Sequence, residues 1–391
     1  MIQLIRTYLK GDLVIWVLTL ILLGFSLVSV YSFVPILVKM DGGSPTKYLF
    51  KHFIYILIAI FAMYWIHRRD PKYLSKYSKI IFYLGVSLLV FTLFFGEKTN
   101  EAGRWIKIPF VGLTFQSSDF AKLALIVYLA RLLSKKKDVL KSWKEGFLPI
   151  MAPIVIVCAL IVKDNFSTAA ILFMICFVLL FLGRVPIGKM LTTVVAGVGL
   201  FALVVGAHLA LPDMKILPRW QTWVNRVTNQ YNNSEDIDVA GTLQASNSKL
   251  AIYNGGLTGQ GVGDGKLKEF IPEAYADFFF ASYVEEFGLI SAIFLVLVYL
   301  IILYRIMRIA LKADNLFETY LCLGIGILLL SQAAVNMMVC TGIFPVTGQN
   351  MPFLAMGGSA MIMACVSIGI VQAVAQKQEK GKEGETENVF E

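Results

Sequence analysis

Asp277, Glu285 and Glu286 stand in the segment AYADFFFASYVEEFGLI, just past a glycine-rich run and at the head of a long apolar stretch. A carboxylate there can serve as a general base toward a hydroxyl that comes within hydrogen-bond reach. At helical spacing, positions 277, 281, 284 or 285, and 288 share a face, so Asp277 and Glu285 are expected to line one inward stripe of a helix that Asp277 opens. Two roles fit Asp277: acting on a ligand, or complementing the positive end of the helix dipole. A second pair, Asp119 and Lys122 in QSSDFAKLALIVYLARLL, is spaced i and i+3. The two can fix their helix as an ion pair or contact a substrate. Arg104 beside Trp105 suits a cation that faces lipid headgroups or a phosphate. Lys51 adds a positive group that also has the reach to snorkel to an interface. The run GGLTGQGVGDG, which includes Gly256, can offer backbone N–H groups to a phosphate or simply turn the chain. No strand precedes it, which argues against a dinucleotide fingerprint. Gln332 and Asn336, four apart, are placed for interhelical hydrogen bonds. The three histidines (His52, His67, His208) are scattered, and the five cysteines lie in apolar runs without disulfide or metal-ligand spacing. Chemistry therefore falls to carboxylates, lysines or hydroxyls.

The chain that positions these groups takes lipid as its solvent. Of 391 residues, 57% are hydrophobic and 16% charged, and the mean hydropathy is +0.71, well above that of a water-soluble domain. Mostly apolar runs at 13–34, 50–66, 79–95, 119–133, 147–162, 167–183, 189–211, 278–303, 318–342 and 353–374 are each read as crossing the hydrocarbon core. The expected fold is all-α, a polytopic membrane protein with about ten transmembrane helices. The net charge of +9 does not point to nucleic acid, because the positive residues sort by side. With the N-terminus inside, 21 of the 35 Lys and Arg fall in inner segments, which places both termini in the cytoplasm. The first apolar run lacks a small-residue cleavage site and reads as a retained helix. Residues 1–375 form a single transmembrane domain with a large extracytoplasmic loop, 212–272, between helices seven and eight. Residues 376–391, polar and charged, are expected to be a disordered cytoplasmic tail. The outer segments 96–118, 212–272 and 341–358 are expected to cover a shared cavity.

Three segments resemble those of one bacterial family. GRWIKIPFVGLTFQSSDFAKLALIVYLA is similar to that family's GxRWI and QPSEFAKLALIIYLA elements. QASNSKLAIYNGGLTGQGVGDGKLKEFIPEAYADFFFASYVEEFGLIS is similar to its glycine-run, LPE and TDFIFA elements, and NMMVCTGIFPVTGQNMPFLAMGGSA to its closing PVTG and GGSS elements. In this order, from about residue 10 to 375, they resemble the SEDS family (FtsW, RodA and SpoVE), closest to FtsW of the Bacteroidetes kind. Ser117 and Asp119 stand where Pro and Glu are usual, Asn165 where an Asp is, and Met356 where a Tyr is. Asp119 keeps the charge; Asn165 does not, so no charged role is expected there.

The resemblance implies a peptidoglycan glycosyltransferase that polymerises lipid II and releases undecaprenyl diphosphate. It implies Asp277 as the catalytic base, with Lys51, Arg104, Asp119, Lys122, Gly256 and Glu286 as substrate-binding residues. Mg²⁺ or another divalent cation is implied by the family and by diphosphate chemistry, although no protein metal site is visible in the spacing. The implied partners are a class B penicillin-binding protein and other divisome or elongasome membrane proteins. The implied location is the bacterial inner (cytoplasmic) membrane, at the division septum for an FtsW-type protein. A lipid II flippase and a scaffold that positions the transpeptidase are the alternatives from other functional classes.

Overall fold

A computed structural model describes residues 9–99, 102–107, 114–211, 220–221, 223–224 and 239–390. Its helices are α1 (Leu13–Asp41), α2 (Pro45–His67), α3 (Pro71–Phe95), α4 (Ser117–Lys135), α5 (Leu148–Val162), α6 (Phe166–Leu182), α7 (Ile187–Ala210), α8 (Val239–Gly255), α9 (Phe279–Leu311), α10 (Leu316–Cys340) and α11 (Gly358–Phe390). Apolar sequence sustains such long helices because lipid offers no hydrogen bonds to the backbone, so each amide must be satisfied within its own segment. The ends are set by polar caps. Asp12, Asp70, Asn165 and Asn315 accept from the first-turn amides of α1, α3, α6 and α10, relieving donors that a helix start leaves open.

Among the described residues, eight helices are long and apolar enough to cross a membrane. The polytopic all-α expectation therefore holds. Two further helices fall where spans are expected. α6 has 17 residues, whereas α5 reaches span length together with the turn Trp143–Phe147 before it, and α4 carries Asp119, Lys122, Arg131 and Lys135. The surface explains the composition: Phe94, Val195 and Leu203 are each more than 70% exposed, and Met190 alone is buried among the residues of α7. Apolar area on that scale is stable only against lipid or another protein.

Contacts at the helix ends sort the molecule into two poles. At one pole the start of α1 meets the end of α9 and the middle of α11 through Asp12, Arg305 and Gln372, and Glu318 at the start of α10 pairs with Lys377. At the opposite pole Thr92, ending α3, bonds Ser117, beginning α4, at 2.9 Å. The starts of α6 and α9 and the end of α10 gather there too. The chain between α3 and α4 forms a small antiparallel sheet, β1 (Glu97–Thr99), β2 (Ala102–Lys107) and β3 (Thr114–Gln116), in the order β1-β2-β3, which the all-α reading omits.

Past Ala375 the described backbone continues as α11 to Phe390. Its first turn past 375 is docked: Gln378 donates to the Ile309 carbonyl, and Glu379 accepts from the Gly11 amide, both at 2.8 Å. Composition signals polarity there, but Gln, Lys and Glu are also good helix formers, and they extend a helix already nucleated by packing. The segment 212–272 is only partly loop. It holds α8 and a 3₁₀ turn, Leu267–Phe270, while residues 212–219 and 225–238 lie outside the described residues.

Candidate active site

Asp277 lies in the turn before α9, half-buried, and the helix itself begins at Phe279. It therefore does not share a helical stripe with Glu285. The reason is competition for its backbone. Asn336 of α10 donates through Nδ2 to the carbonyls of Ala276 (3.4 Å) and Asp277 (3.0 Å), which holds both outside the helical ladder. The same Nδ2 donates to the Gln349 carbonyl at 2.8 Å, and Oδ1 accepts from the Phe280 amide at 3.4 Å. One carboxamide thus joins α10, the entry to α9 and the PVTGQ loop, residues 345–349.

That loop passes directly against the carboxylate. Gly348 has φ +72°, and a Cβ there would sit 3.3 Å from Asp277 Oδ2 and 3.7 Å from Asn165 Nδ2. Glycine meets both the left-handed backbone and the close approach. Asn165 caps α6 by accepting from the Thr168 amide at 3.1 Å, and its Nδ2 donates to the Thr347 carbonyl at 3.5 Å. Gln349 Nε2 donates to Thr168 Oγ1 at 2.7 Å. A ring of uncharged amides and hydroxyls thereby fixes the backbone around one carboxylate, an arrangement suited to a general base that must hold position. Sequence reasoning set Asn165 aside for its missing charge and did not single out Thr168 or Gln349. The signal available was amide and hydroxyl residues at the very ends of apolar helices.

Glu286 is differently placed. It is buried, ion-paired with Lys268 and bonded to Ser32 of α1. Lys268 Nζ also donates to the Ser32 carbonyl at 3.1 Å and to the Gly263 carbonyl at 3.2 Å. Glu285 Oε1 accepts from the amides of Lys266 and Leu267, both at 3.0 Å. The two carboxylates clamp the segment 263–268 onto α9 and α1. A substrate contact at Glu286 would have to displace Lys268.

The glycine run docks beside them. At Gly288, with φ 78° and ψ 174°, α9 is broken, and the run pairs with that break. Gln260 and Gly261 donate to the carbonyls of Glu285 and Glu286 (2.9 and 3.0 Å), while Gly256 and Leu257 accept from Leu289 and Ile290 (3.0 and 3.2 Å). The Gly256 amide itself donates to the Tyr253 carbonyl at 3.2 Å. The run therefore spends these amides on backbone carbonyls and does not present them as a phosphate cradle.

Asp119 and Lys122 pair at 2.9 Å, each side chain 7% exposed, and Ser359 of α11 donates to Asp119 at 3.1 Å. Beside them and Gln332 is a cavity of about 20 Å³, room for roughly one water. Lys51 is half-buried on α2, one turn before Tyr55, whose hydroxyl accepts from the Thr114 amide at 3.1 Å. Arg104 belongs to β2, and its side chain lies outside the described residues.

Between α6 and α10 runs an apolar groove of about 530 Å³, lined by Ala170, Met174, Leu330 and Ala334 and roofed by Trp223 and Val346. Trp223 stacks near Phe166, ring centroids 5.0 Å apart. Thr347 also lines the groove; its Oγ1 is buried and has no hydrogen-bond partner among the described residues. The groove thus leads from the lipid-facing side to the loop that carries Gly348 and Asp277. No three His, Cys, Asp or Glu among the described residues converge as a metal site.

Comparison with known proteins gives a consistent result. The family model for FtsW, RodA and SpoVE, described as "Cell cycle protein", matches residues 12–380. A probable peptidoglycan glycosyltransferase FtsW of Trichlorobacter lovleyi is 31% identical over 364 residues, covering 92% of each chain. Stage V sporulation protein E of Bacillus subtilis is 30% identical over 373 residues, covering 93% of this chain and 97% of that one. In a solved structure described as the structural coordination of polymerization and crosslinking by a peptidoglycan synthase complex, one chain superposes with a TM-score of 0.73. It is 22% identical and covers 95% of this chain and 99% of its own length.

Proposed function

Because the chain belongs to the FtsW/RodA/SpoVE family of cell cycle proteins, we propose that it is a peptidoglycan glycosyltransferase that polymerises lipid II, with Asp277 as general base. The relatives' names support the activity. The observation that carries the site is Asp277 itself, a half-buried carboxylate whose backbone is fixed by Asn336 and which the Gly348 backbone passes. The base takes the proton of the acceptor sugar's 4-hydroxyl as its oxygen attacks the anomeric carbon of the donor. The glycosidic bond forms, the bond to the diphosphate breaks, and undecaprenyl diphosphate leaves. The apolar groove between α6 and α10 fits a polyprenyl chain in its chemistry, with the buried Thr347 hydroxyl at its head.

Arg104, Lys51 and the Asp119–Lys122 pair remain candidates for holding the substrate, with Lys122 already engaged by Asp119. The described residues do not converge on a metal cage of their own. Mg²⁺ or another divalent cation is proposed to arrive with the diphosphate, held mainly by substrate oxygens as Mg²⁺ commonly is. About ten membrane spans with both termini cytoplasmic, residence in the bacterial inner membrane and septal location complete the proposal. The partner is a class B penicillin-binding protein, supported by the synthase complex in which the structural neighbour was solved.

Asp277→Asn keeps volume and hydrogen-bonding reach but cannot accept the proton as a carboxylate does. It is expected to reduce polymer formation from purified lipid II by about 10² to 10⁴, with the thermal unfolding profile unchanged. Polymer at the wild-type rate would remove the base assignment. Wild-type protein that moves lipid II across liposomes without making polymer would replace the enzyme with a flippase.

A further inference from the structure

At the pole that holds the docked start of the tail, a cleft of about 650 Å³ opens between the start of α1, the end of α9 and residues 375–380 of α11. Lys10, Arg305, Arg308, Lys312 and Lys380 line it, against Asp12 and Glu379. Both carboxylates are engaged. Arg305 Nε lies 2.8 Å from Asp12, an ion pair without an aligned hydrogen bond, and Glu379 accepts from the Gly11 amide. Among the described residues, no carboxylate lies within ion-pair range of Lys10, Arg308, Lys312 or Lys380. The cleft therefore carries, among the described residues, an excess of positive charge.

The surroundings identify the kind of anion. Leu297, Ile301, Tyr304, Arg308 and Leu311 follow one another at helical spacing down α9, and the four uncharged members are exposed. Arg308 lies over the Tyr304 ring, 5.9 Å from its centroid. An apolar, lipid-facing stripe thus runs into a cationic cleft at the end of a membrane helix. A phosphate group alone would use only the cleft; a phospholipid would use the stripe for an acyl chain and the cleft for its headgroup. We propose that this cleft is a binding site for the phosphate headgroup of an anionic phospholipid, which there bridges the start of α1 to the end of α9 and to residues 375–380 of α11.

The test uses the full chain in nanodiscs of equal phosphatidylglycerol and phosphatidylcholine, with native mass spectrometry reading the lipids retained on release. Phosphatidylglycerol is expected to be enriched over phosphatidylcholine on the wild type. The enrichment is expected to fall by about fivefold for each charge removed in Arg308→Gln/Lys312→Gln, and to persist in Lys312→Arg. Both altered side chains are exposed. Lys312→Gln alone provides the measurement should the double variant fold poorly. Equal retention of the two lipids by the wild type, or enrichment unchanged in the variants, would overturn the proposal. Displacement of the retained lipid by millimolar inorganic phosphate would assign the cleft to free anions and equally overturn it.

Discussion

Asn336 Nδ2 has two hydrogens and serves three carbonyls, those of Ala276, Asp277 and Gln349. Asn336→Ala would leave these oxygens without their donor, in a setting where Asn336 itself is 1% exposed. Each unsatisfied buried group costs about 1–3 kcal/mol, and the turn before α9 would also be free to join the helix. The expected outcome is a lower unfolding temperature together with a loss of polymerisation larger than the stability loss explains. Full activity at permissive temperature would show that the turn keeps Asp277 in place without this amide. The sequence made Asn336 conspicuous, because a carboxamide deep in an apolar helix must find partners. It could not say that the partners are carbonyls beside Asp277, since those contacts span about sixty residues of chain. The same limit hid Asn165. Its value as a link between α6 and the 345–349 loop is geometric, whereas a one-dimensional reading weighs it by charge.

At the scale of elements, the stripe expected of Asp277 and Glu285 fails for a reason of backbone. Period-3.6 reasoning assumes an unbroken helix, but α9 starts after Asp277 and breaks at Gly288. The glycine run fills that break with strand-like hydrogen bonds, and Lys268 is brought under Glu286 by the 3₁₀ turn that follows. The pair is a buried clamp between α9, α1 and the glycine segment. Breaking one side leaves a buried charge, at a cost of about 3–5 kcal/mol, whereas removing both charges in favour of apolar groups is often near neutral. Lys268→Met and Glu286→Met are each expected to destabilise the protein by that amount, and Lys268→Met/Glu286→Met to recover most of it. Thermal unfolding of the four proteins gives the coupling energy. Additive losses would show that the two side chains act independently and that Glu286 is available for another role.

For the whole molecule, the apolar runs were the most legible feature, because the length of a span and the need to satisfy its amides are dictated by the bilayer alone. The poles of the bundle follow from pairwise contacts at helix ends. The start of α1 and residues 372–379 of α11 share one pole, as the distribution of Lys and Arg requires of a chain with both termini on one side. Orientation relative to the cell is a separate matter, and it rests on the basic segments between α4 and α5 and at the ends of α9 and α11. All five native cysteines are buried, so single added thiols report cleanly. Lys144 and Ser246 are both exposed and lie on segments assigned to opposite sides. Ser246→Cys is expected to react with a membrane-impermeant thiol reagent on cells whose inner membrane is intact, and Lys144→Cys only after that membrane is opened. Asp277 shares its pole with Ser248, which bonds the Cys340 carbonyl at 2.8 Å, so the result at Ser246 also locates the proposed base. Labelling of Lys144→Cys before the membrane is opened would invert the molecule, turning Asp277 toward the cytoplasm and away from any site of wall polymerisation.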